Sequence, residues 1–147
     1  MSMSNDAEGS ILDLLFLNID FANIGDAGGL QNSAAAGSFY VALHSSDPGE
    51  AGKQNTSEVS YTGYARVAVP RTAPGFTRSG NQISNTALVQ FVQSGGGGTP
   101  IATHWSVGLE SSGATVYLVT GALTASLTIG TGVQPQFAPN ALTATAD

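Results

Sequence analysis

Apolar positions in this chain come in two textures. From Ser10 onward they crowd together: Ile11, Leu12, Leu14, Leu15, Phe16, Leu17, Ile19 and Phe21 are interrupted only by Asp13, Asn18 and Asp20. Ser10 with Asp13 three places later resembles a capping box, so a short helix is predicted over 10–18, after a polar and mobile stretch at 1–9. Its apolar residues cover almost every face, which implies burial on more than one side. Two roles stay open, capping the end of a core or docking into a neighbouring subunit. The run is too short and too interrupted to span a bilayer, and with acids at Asp6 and Glu8 and no basic residue before it, it lacks the pattern of a signal peptide.

Beyond the small-residue loop at 25–38 the texture alternates. In "FYVALH" (39–44), Phe39, Val41 and Leu43 share one face and Tyr40, Ala42 and His44 the other, as in a strand. A polar loop follows, where Asp47-Pro48-Gly49 has turn chemistry. "YARVAVPR" (64–71) predicts the next strand, and Pro70 puts it at a strand end or sheet edge. Further strands are expected on either side of the turn at 79–81, over 88–93, and in a hairpin around Ser111-Ser112-Gly113. "SGGGGTP" (94–100) reads as a flexible connection. The tail offers one or two more strands, broken by Gly130, Gly132, Pro135 and Pro139. About seven or eight short antiparallel strands predict an all-β sandwich or jelly-roll-like barrel with a short N-terminal helix. The expected division is an N-terminal arm at 1–38 and a β body at 39–147.

Composition sharpens this picture. The chain has 147 residues, no cysteine and a net charge of −6. One domain of this length buries enough surface to need no disulfide. Lys53, Arg66, Arg71 and Arg78 are its only basic residues, so an acidic balance argues against general binding to nucleic acid. Charged residues make up 10% of the chain, against about 25% in an average soluble domain. So neutral a surface implies that a partner covers part of it.

No pattern of enzyme chemistry emerges. His44, Ser45, Ser46 and Asp47 are consecutive and cannot converge on one substrate atom, and no G-x-S-x-G turn exists. His44 and His104 lack the spacing of a zinc site, and 46–58 lacks the order of a calcium loop. Gly95–Gly98 lead into Thr99-Pro100 rather than Lys-Ser and a helix, so they make no phosphate cradle. Arg66, Arg71 and Arg78 beside Tyr61, Tyr64 and Phe76 are expected to pair with Glu50, Glu58 or a neighbour's acids. The reading is therefore of a non-enzyme with no catalytic residue, cofactor or metal.

The segments "LHSSDPGE", "YTGYARV" and "PQFAPNALT", in this order, resemble a family of small structural proteins of tailed bacteriophages, labelled as head-decoration or tail-fibre proteins. The resemblance covers 39–147 and implies a virion component. The leading expectation is a capsid decoration, or cement, protein on the outer surface of the head. Its partner would be the major capsid protein, and it would form a homo-oligomer, a trimer among the options, without nucleic acid or membrane. The alternative is a tail-fibre or tail-tip component, with contact to the host surface among its roles. A secreted carbohydrate-binding module is the reading from another class. Candidate lattice or subunit contacts are Ile11, Leu12, Leu15, Phe16, Ile19, Phe21, Arg66, Arg71 and Arg78.

Overall fold

The computed structural model describes residues 3–146, which form an all-β, antiparallel fold of the sandwich class with a short N-terminal helix. Backbone contacts divide it into two units. One comprises Phe39–Val69 and Leu88–Ala138, the other Met1–Ser38, Pro70–Ala87 and Pro139–Asp147.

The first unit is built on a four-stranded sheet. Strands β1 (Ser38–His44), β2 (Val67–Pro70), β6 (Ile101–Gly108) and β7 (Tyr117–Thr128) lie in the order β2-β1-β6-β7. β2 is an edge strand ending in Pro70, where a missing N–H costs no ladder bond. β1 pairs antiparallel with β6, placing Leu43 opposite Trp105 and His44 opposite His104. As an inner strand it is covered on both faces, which is why Val41, Ala42, Leu43 and His44 are all buried despite their alternation. The β6–β7 hairpin around Ser111-Ser112-Gly113 forms as expected. Gly121 opposite Trp105 is required by close approach, since a side chain there would meet the indole.

Two short strands complete this unit, β5 (Val89–Gln90) against β8 (Gln136–Phe137). The alternation holds beyond the ladder over 88–92, where Val89 and Phe91 are buried and Leu88, Gln90 and Val92 exposed, and it ends at Gln93, which is exposed. Phe91 stacks on Tyr64 with ring centroids 6.0 Å apart and meets Phe137 edge-on at 6.2 Å. The glycine run is held in place: Thr62 N–H donates to Gly96 O, Gly95 N–H to Thr62 O, and Gly132 N–H to Ser94 O.

In the second unit, β3 (Phe76–Ser79), β4 (Gln82–Asn85) and β9 (Thr143–Thr145) form a sheet in that order. β3 and β4 join through Gly80-Asn81, and Gly80 at φ 61° supplies the positive φ of a type II′ hairpin. The N-terminal helix departs from the expected 10–18. Helix α1 spans Asn5–Leu12, begins inside the stretch read as mobile, and is capped by Ser4, whose side chain accepts from Ala7 N–H at 3.4 Å. Met1 and Ser2 lie outside the described residues. Ser10 is no cap: its hydroxyl donates to Asp6 O at 2.9 Å, a bond open only to a residue already inside a helix. Asp13 is drawn away by Arg78.

α1 continues into a π-helical turn, Asp13–Leu17, ended by Asn18 in the left-handed region at φ 56°. Leu12 and Phe16 are buried, and Phe16 meets Phe76 edge-on at 5.1 Å. The loosened turn leaves carbonyls without helical partners. Arg71 takes two of them, donating from Nη2 to Leu14 O at 2.6 Å and from Nε to Leu15 O at 2.5 Å.

Candidate functional site

The polar stretch after β1 folds around one guanidinium. Arg66 is 7% exposed and makes a fork-to-fork pair with Glu58: Nε donates to Oε1 at 2.8 Å and Nη2 to Oε2 at 2.7 Å. Its remaining donors reach Gln54 Oε1 and Glu110 O at 3.0 Å and Gly113 O at 2.8 Å. Bonding to Glu58 chiefly raises the Arg66 pKa, against the opposing effect of burial. One side chain thus ties the loop after β1 to the β6–β7 turn.

Two neighbours complete the network. Tyr64 donates its hydroxyl to Glu58 Oε1 at 2.9 Å and accepts from Leu43 N–H at 3.1 Å; burial pushes this phenol far up. Gln54, fully buried, donates to Tyr40 O at 2.7 Å. It occupies the space that a side chain at Gly108 would need. The sequence offered Glu58 as one of several acids for Arg66, whereas Gln54 was not legible, because only the packed sheet shows that Gly108 leaves a slot.

His44 and Ser106 meet within the sheet, Nε2 to Oγ at 2.7 Å, while His44 Nδ1 lies 2.9 Å from Thr56 O. The carbonyl requires Nδ1–H, so Nε2 accepts from the serine, as a catalytic base would. Both residues are 0% exposed, and the imidazole is oriented by a carbonyl rather than a carboxylate. A substrate has no path to this hydroxyl, so the pair is a clasp between β1, β6 and the loop.

Burial lowers the His44 pKa below 6.5, outweighing the bond to Thr56 and the field of Glu58, which raise it; Arg66 and His104 lower it further. The neutral ring therefore contributes stability that is complete above the unfolded value near 6.5 and declines as pH falls below it. The urea midpoint should drop between pH 7.5 and 5, and His44→Gln, which cannot titrate, should flatten that slope. An equal slope in both proteins would refute the clasp's role.

Beside this network lies a surface groove of about 540 Å³, lined on one side by Asp47, Gly49, Glu50 and Lys53 and on the other by Val116–Thr120 of β7 and its approach. Asp47 Oδ1 accepts from Gly49 N–H at 2.9 Å, and Gly49 takes the positive φ its turn needs. Tyr117 donates to Gly49 O at 2.5 Å; burial first, then Asp47 and Glu50, raise its pKa. Among the described residues no cluster of three metal-binding side chains occurs, and no helix is long and apolar enough to cross a membrane.

The second unit carries a different surface. Residues 18–33 form a closed finger: Asn18 exchanges bonds with Ser33 at 2.9 Å, Asp20 accepts from Asn32 N–H at 2.7 Å, and Phe21 pairs with Leu30. Arg71 holds its base through Ser33 Oγ at 3.0 Å. Ile19, Ile24 and Leu30 are about half exposed on it, at 51, 43 and 48%.

The nine residues expected to make contacts are therefore dispersed. Leu12 and Phe16 are buried, Ile11, Leu15 and Phe21 half-buried, and Ile19 exposed. Arg66 is buried against Glu58, Arg71 holds helix-end carbonyls, and Arg78 pairs with Asp13, Nε to Oδ1 at 2.5 Å. Leu30 went unnoticed because nothing local distinguishes an exposed apolar residue in a loop from a buried one.

A family model described as podophage GP4 fiber I protein gp80 matches residues 2–145. No curated protein matches the chain.

Proposed function

The chain belongs to the podophage GP4 fiber I protein gp80 family, phage structural proteins, and from that premise we propose that it is a tail-fibre component of a tailed-phage particle. The match across 2–145 carries this reading. It favours the fibre over the head-cement role, for which low charge was the physical support. The role proposed is structural, with no catalysis: the one serine–histidine pair described above is sealed from solvent.

Attachment is assigned to the finger at 18–33. Its ends are bonded together, so little chain entropy is lost on docking, and Ile19, Ile24 and Leu30 offer apolar surface beside Asp20 and Asp26. The receiving surface is accordingly an apolar groove with a basic rim on another virion protein.

Antibody labelling of intact particles tests the role: signal confined to the tail is expected, and signal spread over the head would restore cement. Removing residues 1–24 would be a poor test of attachment, because it strips Leu12 and Phe16 from their unit. The variant Ile19→Asp with Ile24→Asp should instead keep wild-type circular dichroism and be lost from assembled particles by at least about tenfold. Normal incorporation would overturn the assignment to the finger.

A further inference from the structure

A second groove opens where the chain between β1 and β2 meets the β6–β7 turn. Its volume is about 430 Å³, and Glu58, Val59, Ser60 and Ala65 line it from the first segment, Ser111 and Ser112 from the turn, with Tyr64 and Arg66 also in its wall. This volume lies within the roughly 300–1,000 Å³ of small-ligand sites. The two segments are already tied together, because Arg66 bonds Glu58 on one and the carbonyls of Glu110 and Gly113 on the other. A site fixed in advance loses little freedom on binding.

What the groove can hold follows from which of its polar atoms are already spent. Arg66 has used every N–H, on Glu58, Gln54, Glu110 O and Gly113 O. Lys53, Arg71 and Arg78 lie outside the lining, so a phosphate or carboxylate finds no free cation there. Glu58 is only partly spent. A carboxylate offers about four lone-pair directions. Three are taken, two at Oε1 by Tyr64 and Arg66 and one at Oε2 by Arg66, while the side chain keeps 15% exposure. One direction at Oε2 therefore stays open, on a carboxylate whose charge Arg66 already meets. Around it stand Ser60, Ser111 and Ser112, all exposed, whose hydroxyls have no hydrogen-bond partner among the described residues. Val59 and Ala65 add apolar wall. One open acceptor, three hydroxyls that both donate and accept, and an apolar strip without unspent charge are the complement of an uncharged ring carrying adjacent hydroxyls.

We propose that this groove binds a neutral saccharide. One ring hydroxyl donates to Glu58 Oε2, its neighbours exchange hydrogen bonds with Ser60 and Ser112, and the C–H face of the ring lies against Val59 and Ala65. The bond to Glu58 is the strongest of these, since its acceptor is ionised.

Amide NMR spectra of the full chain, titrated with the methyl glycosides of glucose, galactose, mannose and rhamnose, test this. At least one of the four should shift the resonances of Ser60, Ala65, Ser111 and Ser112, and the acidic methyl glucuronide should bind at least about tenfold more weakly than that glycoside. Ser60→Ala with Ser112→Ala removes hydroxyls that bond nothing within the chain, so circular dichroism should be unchanged while affinity falls at least about tenfold. No shift with any of the four glycosides, shifts confined to other residues, equal binding of the glucuronide, or full affinity in the double variant would each overturn the proposal. Antibody labelling of particles is unaffected by any of these outcomes, so the groove and the tail-fibre reading are tested apart.

Discussion

Arg66→Ala is expected to destabilise the protein by about 3–5 kcal/mol, the range for removing one partner of a buried ion pair. The cost arises from what the guanidinium leaves behind. Glu58 would keep a carboxylate whose side chain is only 15% exposed, and Gln54 Oε1, Glu110 O and Gly113 O would lose their donor. Leaving such acceptors unsatisfied costs more than the bonds contribute on formation, because water cannot replace the lost donor. Denaturant unfolding with an unchanged slope would measure the loss. Arg66→Lys should recover only part of it, since an ammonium cannot make the two parallel bonds to Glu58. In a double-mutant cycle, Arg66→Ala with Glu58→Ala should cost less than the two single changes added together. A loss under about 1 kcal/mol for Arg66→Ala would mean that the network is incidental to the fold.

Phe91→Ala should cost a comparable amount, about 3–5 kcal/mol, by a different mechanism. This ring is 1% exposed and sits between Tyr64 and Phe137. Its removal forfeits apolar burial and leaves a cavity that two rings fixed by their own contacts cannot close. Tyr64 is held by Glu58 and by Leu43 N–H, so it cannot slide into the gap. At about 2–4 °C per kcal/mol for a chain of this size, the melting temperature should fall by roughly 6–20 °C. Phe91→Leu, which keeps most of the volume, should fall less. Equal losses for Ala and Leu would point to the ring–ring contacts rather than to the cavity.

These two expectations also separate what was legible in the sequence from what was not. Alternation with period two set Leu88, Gln90 and Val92 on one face and Val89, Phe91 and Gln93 on the other, and the structure exposes the first three and buries Val89 and Phe91 but not Gln93. It did so because side-chain direction in extended chain is a local property of the backbone. Turn chemistry was readable for the same reason. Gly80 at φ 61° and the Ser111-Ser112-Gly113 hairpin follow from which residues tolerate which dihedral angles.

The start of the helix was misread although its signals are local. Ser10 and Asp13 have the spacing of a cap, but the same serine satisfies its hydroxyl inside a longer helix, and Asp13 answers to an arginine 65 residues away. A cap is defined by which partner its side chain finds, and competing partners lie outside the local window.

By itself the sequence determined the all-β class, the positions of most strands and turns, the scarcity of charge, and the pairing of Arg66 with an acid. Each depends on residue type or on spacing along the chain. Tertiary structure alone decided that Arg78 meets Asp13, that Gln54 fills the slot left by Gly108, that His44 bonds Ser106, and that β7 ends its sheet. These are contacts between residues far apart in sequence. Such contacts depend on the one packing that satisfies all the buried groups together, and no short window of sequence holds that information.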